Sequence, residues 1–147
     1  TAGFFRIEDA LLARDLEKCL TEARGLWKGG KGDQIVYNSI NRSLRFLLQS
    51  NIARERQNLA SDPALMATLF PASPQHNVFK AADFVRNKYR IASTLYRTAD
   101  LIEAYEGLFE VFRAMRPLPG QEHVPDALTM LEQTLVKLLV SPRPGAH

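Results

Sequence analysis

From Gln34 to Arg56 the chain runs without a glycine or a proline. Within that run Val36, Tyr37, Ile40, Leu44, Leu47 and Leu48 recur at three- and four-residue steps, which places them on one side of a helix. Arg42, Arg45, Gln49 and Arg56 fall on the opposite side. A stripe this broad has to be buried against other helices, so the stretch predicts a long central helix over about Gln34 to Arg56. Its arginine side reads as a solvated face or as one that meets a partner.

The segments on either side supply helices to pack against it. Phe4, Phe5, Ile7, Ala10, Leu11 and Leu12 make an apolar first helix. Asp15 is placed to cap a second, in which Leu16, Cys19, Leu20, Ala23, Leu26 and Trp27 form the buried stripe. Cys19 is therefore expected to be a core residue. The glycines of Lys28-Gly29-Gly30-Lys31-Gly32-Asp33 make a loop, with Asp33 as the expected cap of the central helix. Asp62-Pro63 starts a short helix over Ala64 to Phe70, and Pro71 stops it.

Phe79 to Met115 is helical by composition, and its apolar phase shifts part-way. Val85, Tyr89, Ala92, Tyr96 and Ala99 share one face, whereas Leu101, Tyr105, Leu108, Phe112 and Met115 make another. The shift predicts a break between Arg97 and Asp100, with Thr98 or Asp100 capping the helix beyond the break. Pro125 and Asp126 open a last helix striped by Leu128, Leu131, Leu135, Leu138 and Leu139. The resulting fold is all-α, a compact bundle of five or six helices in a single domain over 1–140. Residues 141–147 are expected to form a flexible tail.

Composition narrows the function. With 46% apolar and 24% charged residues, the chain has the balance of an ordinary globular protein. No window reaches membrane-spanning length, and no basic segment followed by an apolar one marks a signal peptide. The single cysteine rules out an internal disulfide and suits a reducing cytoplasm. A net charge of +3 permits an acidic partner without demanding one.

Catalytic patterns are missing. His76, His123 and His147 lie in loops or the tail, without partners at metal-ligand spacing. No nucleophile has a base at motif spacing, and neither the Glu-x-x-His pairs of metal-binding bundles nor the Arg-x-x-x-x-His pair of a helical RNase class occurs. No enzyme activity, cofactor, metal or small-molecule substrate is expected. Arg86, Arg90 and Arg97 form the clearest basic stripe, with Lys88 nearby and no acid from Arg86 to Thr98. It is either a solvated face or a nucleic-acid contact.

The order of features resembles the C-terminal helical domain of the delta subunit of bacterial DNA polymerase III, over roughly Phe4 to Leu139. Phe5, Asp9-Ala10, Leu16, Lys18, Leu20, Leu26 and Gly29 match the family's opening pattern. Ile40-Asn41-Arg42-Ser43-Leu44-Arg45-Phe46-Leu47-Leu48 matches its arginine-bearing helix. His76 and Lys80 match a histidine and a lysine that open the following helix. Leu101 through Arg116, Ala127-Leu128 and Leu131-Glu132 match the last two helices, although Phe112 and Arg116 stand where the family usually has aspartate and lysine. The resemblance implies a non-catalytic collar domain of a cytoplasmic clamp loader, packed against other clamp-loader subunits while separate AAA+ domains handle ATP, clamp and DNA. Arg42, Arg45 and Phe46 are the expected partner interface, since Phe46 lies beside the main stripe and next to two arginines. DNA contact through Arg86, Arg90 and Arg97 would be weak or indirect. The alternatives are a small helical subunit lining nucleic acid in an RNA-guided defence complex, and an unrelated helical interaction domain.

Overall fold

The computed structural model describes residues 2–56, 64, 67, 68, 70–116, 118–120 and 126–145. Among these it has six α-helices and no strand: α1 (Ala2–Leu12), α2 (Leu16–Trp27), α3 (Gly32–Glu55), α4 (Asp83–Ser93), α5 (Thr98–Met115) and α6 (Ala127–Leu139). A 3-10 turn at Val78–Lys80 precedes α4. The helical bundle expected from the periodicity is therefore the fold. The short helix expected over Ala64–Phe70, its Asp62-Pro63 start, and Pro117, His123, Pro125 and His147 fall wholly or largely outside the described residues.

α3 is the axis. It packs against α1, α2, α4 and α5, and α6 closes the bundle by lying on α5 and α2. Val36, Ile40, Leu44 and Leu47 are fully buried, and so is Leu135 of α6. Being surrounded, α3 has no simple polar face. Ser39, Ser43, Gln49, Ser50 and Asn51 are also buried. Short polar side chains tolerate this because they find partners close by. Ser39 donates to the Phe4 carbonyl (2.6 Å) and the Asn51 amide to the Tyr96 carbonyl (2.9 Å). Gln49 donates to the His76 carbonyl (2.7 Å) and accepts from the Val78 N–H (2.9 Å). Gln49 therefore corrects the two-faced reading of this helix: it anchors the loop before α4 rather than facing water.

The helix ends follow local chemistry. Asp15 caps α2 by accepting from the Lys18 N–H (3.1 Å), and Asp126 caps α6 through the Thr129 N–H (3.3 Å). Asp33 does not cap α3, which starts one residue earlier, at Gly32. A Cβ on Gly32 would lie 1.7 Å from the Leu26 carbonyl oxygen, so only glycine fits where α2 hands over to α3. The break in the Phe79–Met115 stretch comes at residues 94–97, slightly before its expected place. There the Ser93 hydroxyl bonds the Arg90 carbonyl (2.9 Å) and the Thr94 hydroxyl the Ile91 carbonyl (2.6 Å). Such hydroxyls compete with the helical ladder. Neither Thr98 nor Asp100 caps α5; Arg97 is the cap residue, and it makes no side-chain cap bond.

One buried cation ties the ends of the bundle together. Arg14, in the α1–α2 turn at φ 56°, donates to the carbonyls of Leu95 and Ser141 and to the Ser141 hydroxyl (3.2 Å), and its guanidinium lies 4.9 Å from the Tyr96 ring centre. It holds the turn before α5 against the carbonyl end of α6, where a positive charge is favoured. Ser141, the first residue of the expected tail, is therefore held.

Candidate interaction surfaces

The three residues expected to meet a partner do not share one exposed patch. Phe46 is fully buried, its ring edge-on to Tyr89 at 5.2 Å. This corrects the expectation that it lies beside the core: α1 and α4 cover that side of α3. Arg42 is drawn into the same layer. It donates to Glu8 Oε2 (2.7 Å) and lies over the rings of Phe46 (4.8 Å) and Phe4 (5.8 Å). Glu8 is itself fully buried, and it also accepts from Lys88 Nζ (2.8 Å) and from the Tyr89 hydroxyl. Burial, and next the Glu8 charge, push the Tyr89 phenol far above its usual range.

Arg45, half-buried like Arg42, turns away from that layer. Its Nε donates to the Tyr105 hydroxyl (3.0 Å), and its Nη1 contacts Nδ1 of the exposed His76. His76 and Lys80 do not open a helix, since α4 begins at Asp83. Arg45 belongs to a seam between α3 and α5. Tyr37 packs on Phe112 (5.7 Å), Arg116 lies over Phe112 (4.8 Å), and Arg116 donates to the Gln34 side chain (3.3 Å).

Alongside that seam α5 carries an apolar stripe that the periodicity reading missed. Ile102 and Phe109 are exposed, Phe109 by 63%, and they lie seven residues apart with Tyr105 between them. Steps of three and four place all three on one line of the helix. The fully enclosed line of α5 is Leu101, Ala104, Leu108 and Val111. Tyr105, Phe112 and Met115, expected in the core stripe, are half-buried at its edge. The available signal was that Ile102 and Phe109 fit neither apolar phase of the sequence.

The basic stripe is divided. Arg86 and Arg90 face a groove between α3, α4 and the 3-10 turn, where Arg54 of α3 joins them. Arg97 sits elsewhere, paired with Asp100 (2.7 Å). That hydrogen bond first, and the guanidinium charge with it, hold the Asp100 carboxyl below its usual range. Lys88 turns inward to Glu8. Cys19 is fully buried; desolvation, and next the charge of Asp15, push its thiol up to about 12, so it is no nucleophile. Among the described residues no three histidine, cysteine or acidic side chains are placed to hold a metal ion, and no helix is long and apolar enough to cross a membrane.

No protein-family model, no curated protein and no solved structure matches this chain.

Proposed function

We propose that the chain is a non-catalytic assembly domain of a bacterial replicative clamp loader, equivalent to the C-terminal collar domain of the DNA polymerase III delta subunit. In this reading it packs against other clamp-loader subunits in the cytoplasm, uses no cofactor and turns over no small molecule. The observation that carries the reading is the exposed pair Ile102 and Phe109, with half-buried Tyr105 between them, beside the Arg45 seam. Large apolar side chains left in water along one helix face mark an interaction surface, and aromatics beside arginine are the residue mix of interface hot spots. The partner-facing role expected of Arg42 and Phe46 passes to Ile102, Tyr105 and Phe109, with Arg45 retained. A nucleic-acid-lining role has less support, because Arg97 and Lys88 are paired with carboxylates and point away from the Arg86–Arg90 groove.

The test is reconstitution with the remaining clamp-loader subunits, followed by size-exclusion chromatography. Wild-type chain is expected to enter the complex. The double variant Ile102→Glu/Phe109→Glu is expected to stay out while melting at an unchanged temperature. A wild-type chain that joins no complex, or a folded double variant that joins as well as wild type, overturns the proposal.

A further inference from the structure

The groove between α3, α4 and the 3-10 turn has a volume of about 470 Å³. Ala53, Val78 and Phe79 give it an apolar floor, and Arg54, Arg86 and Arg90 stand around it. The four-residue spacing of Arg86 and Arg90 along α4, continued by Thr94 at its C-cap, keeps that wall on one side of the helix. Little acid answers these cations. Arg54 donates to the Ser93 hydroxyl (2.7 Å), the Ser93 carbonyl (3.3 Å) and the Asn51 side chain, all neutral acceptors. Arg90 donates to the Asn87 side chain (2.7 Å). Arg86 alone has a carboxylate, Asp83, whose side chain is 92% exposed. A pair so well solvated gives up little when one partner turns elsewhere. Among the described residues, Arg54 and Arg90 have no acidic partner at ion-pair distance.

We propose that this groove is a docking site for an acidic peptide, a short segment whose apolar side chains enter the groove and whose carboxylates meet Arg54, Arg86 and Arg90. Guanidinium forks match carboxylates in two-point geometry, and their weak hydration suits a rim against an apolar floor. Charge complementarity identifies the occupant as acidic, and the floor requires it to be partly apolar. Single-stranded nucleic acid fits less well. It needs open aromatic faces on which bases stack, and the one ring in the floor, Phe79, already stacks on Phe70 (5.9 Å, 11° between planes). The three arginines also line a single groove. The site is separate from the α5 stripe and does not depend on the clamp-loader reading.

Fluorescence anisotropy with the full 147-residue chain tests it. The probe is a fluorescein-labelled peptide Asp-Leu-Asp-Phe-Leu-Glu. Its counterparts carry lysine for each acid, or serine for each apolar residue, and a labelled single-stranded oligo(dT) is run beside them. The acidic apolar peptide is expected to bind and both counterparts to fail. Arg86→Gln/Arg90→Gln is expected to weaken binding by roughly tenfold at an unchanged melting temperature. Failure of the acidic peptide to bind overturns the proposal. So does equal binding by the serine peptide, undiminished binding by the double variant, or tighter binding of oligo(dT) with the same arginine dependence.

Discussion

The same two helices, α3 and α4, hold basic side chains in two opposite circumstances. In the layer shared with α1, Arg42 and Lys88 converge on the buried carboxylate of Glu8, and the Tyr89 hydroxyl completes its shell. On another side of α4, and further along α3, Arg54, Arg86 and Arg90 surround a groove where, among the described residues, the only carboxylate in the lining is exposed Asp83. The first cluster is closed: both cations share one carboxylate within the chain. The second is open, with capacity for an external anion. Basic residues in a helix thus say little about binding until the acids that reach them from other elements are known.

The largest expected effect comes from breaking the closed cluster. Glu8→Gln leaves Arg42 and Lys88 without their counter-charge. Removing one member of a buried ion pair costs about 3–5 kcal/mol, and the lower end applies because Arg42 and Lys88 keep side-chain exposures of 27% and 35% and can turn to water. Arg42→Glu, which sets a second carboxylate beside Glu8, is expected to be at least as damaging. Urea titrations of both variants check this. A change below about 0.5 kcal/mol, the range of neutral surface substitutions, would show that the cluster is not closed.

Truncating a core residue of the axis that carries both clusters gives a comparable loss. Leu44 is fully enclosed, so Leu44→Ala is expected to cost about 2–5 kcal/mol in the same titration. Arg54 lies between the extremes, being both a groove residue and a bond to Ser93. Arg54→Ala is expected to lose about 1–2 kcal/mol, as for hydrogen bonds from a charged donor that stays partly wet. Arg86→Gln and Arg90→Gln, at the open cluster, are expected to stay within about 0.5 kcal/mol of wild type. Equal losses at the two clusters would erase the distinction.

Much of the fold was legible because period and punctuation agree in this chain. The glycine- and proline-free run became α3, and Asp15 and Asp126 cap the helices they precede. What escaped was the surroundings of α3. Ser39, Ser43 and Asn51 look polar in sequence, yet they bond backbone or side chains of neighbouring helices or, for Asn51, of the turn before α5, and so can be buried. A single-helix pattern shows an apolar arc but not how many neighbours enclose the rest. For the same reason Arg42, Arg45 and Phe46 read as one patch. The acid that claims Arg42 is thirty-four positions away in sequence, and the ring that packs on Phe46, that of Tyr89, belongs to another helix. Arg86 and Arg90 were visible as a pair, but their companion Arg54 comes from a different helix.

The smallest expected effect is at the exposed pairs, and it comes from their titration. Arg24 donates to Glu132 (2.8 and 3.1 Å), and this hydrogen bond is the main cause holding the Glu132 carboxyl below its usual range; Arg97 does the same for Asp100. A carboxyl whose folded pKa is depressed binds fewer protons folded than unfolded. Its contribution is therefore present above the unfolded pKa, about 3.9 for aspartate and 4.3 for glutamate, and is lost as pH falls through the depressed folded value. Both arginines are well exposed, so solvent and salt screen the gain. The expected result is a slightly higher melting temperature for wild type than for Arg24→Gln/Arg97→Gln at pH 7. That gap should close as the solution is acidified below about pH 4, and it should narrow at neutral pH in high salt. A gap that stays constant from neutral to acid would mean the two arginines stabilise the helices by packing their side-chain stems, not through charge.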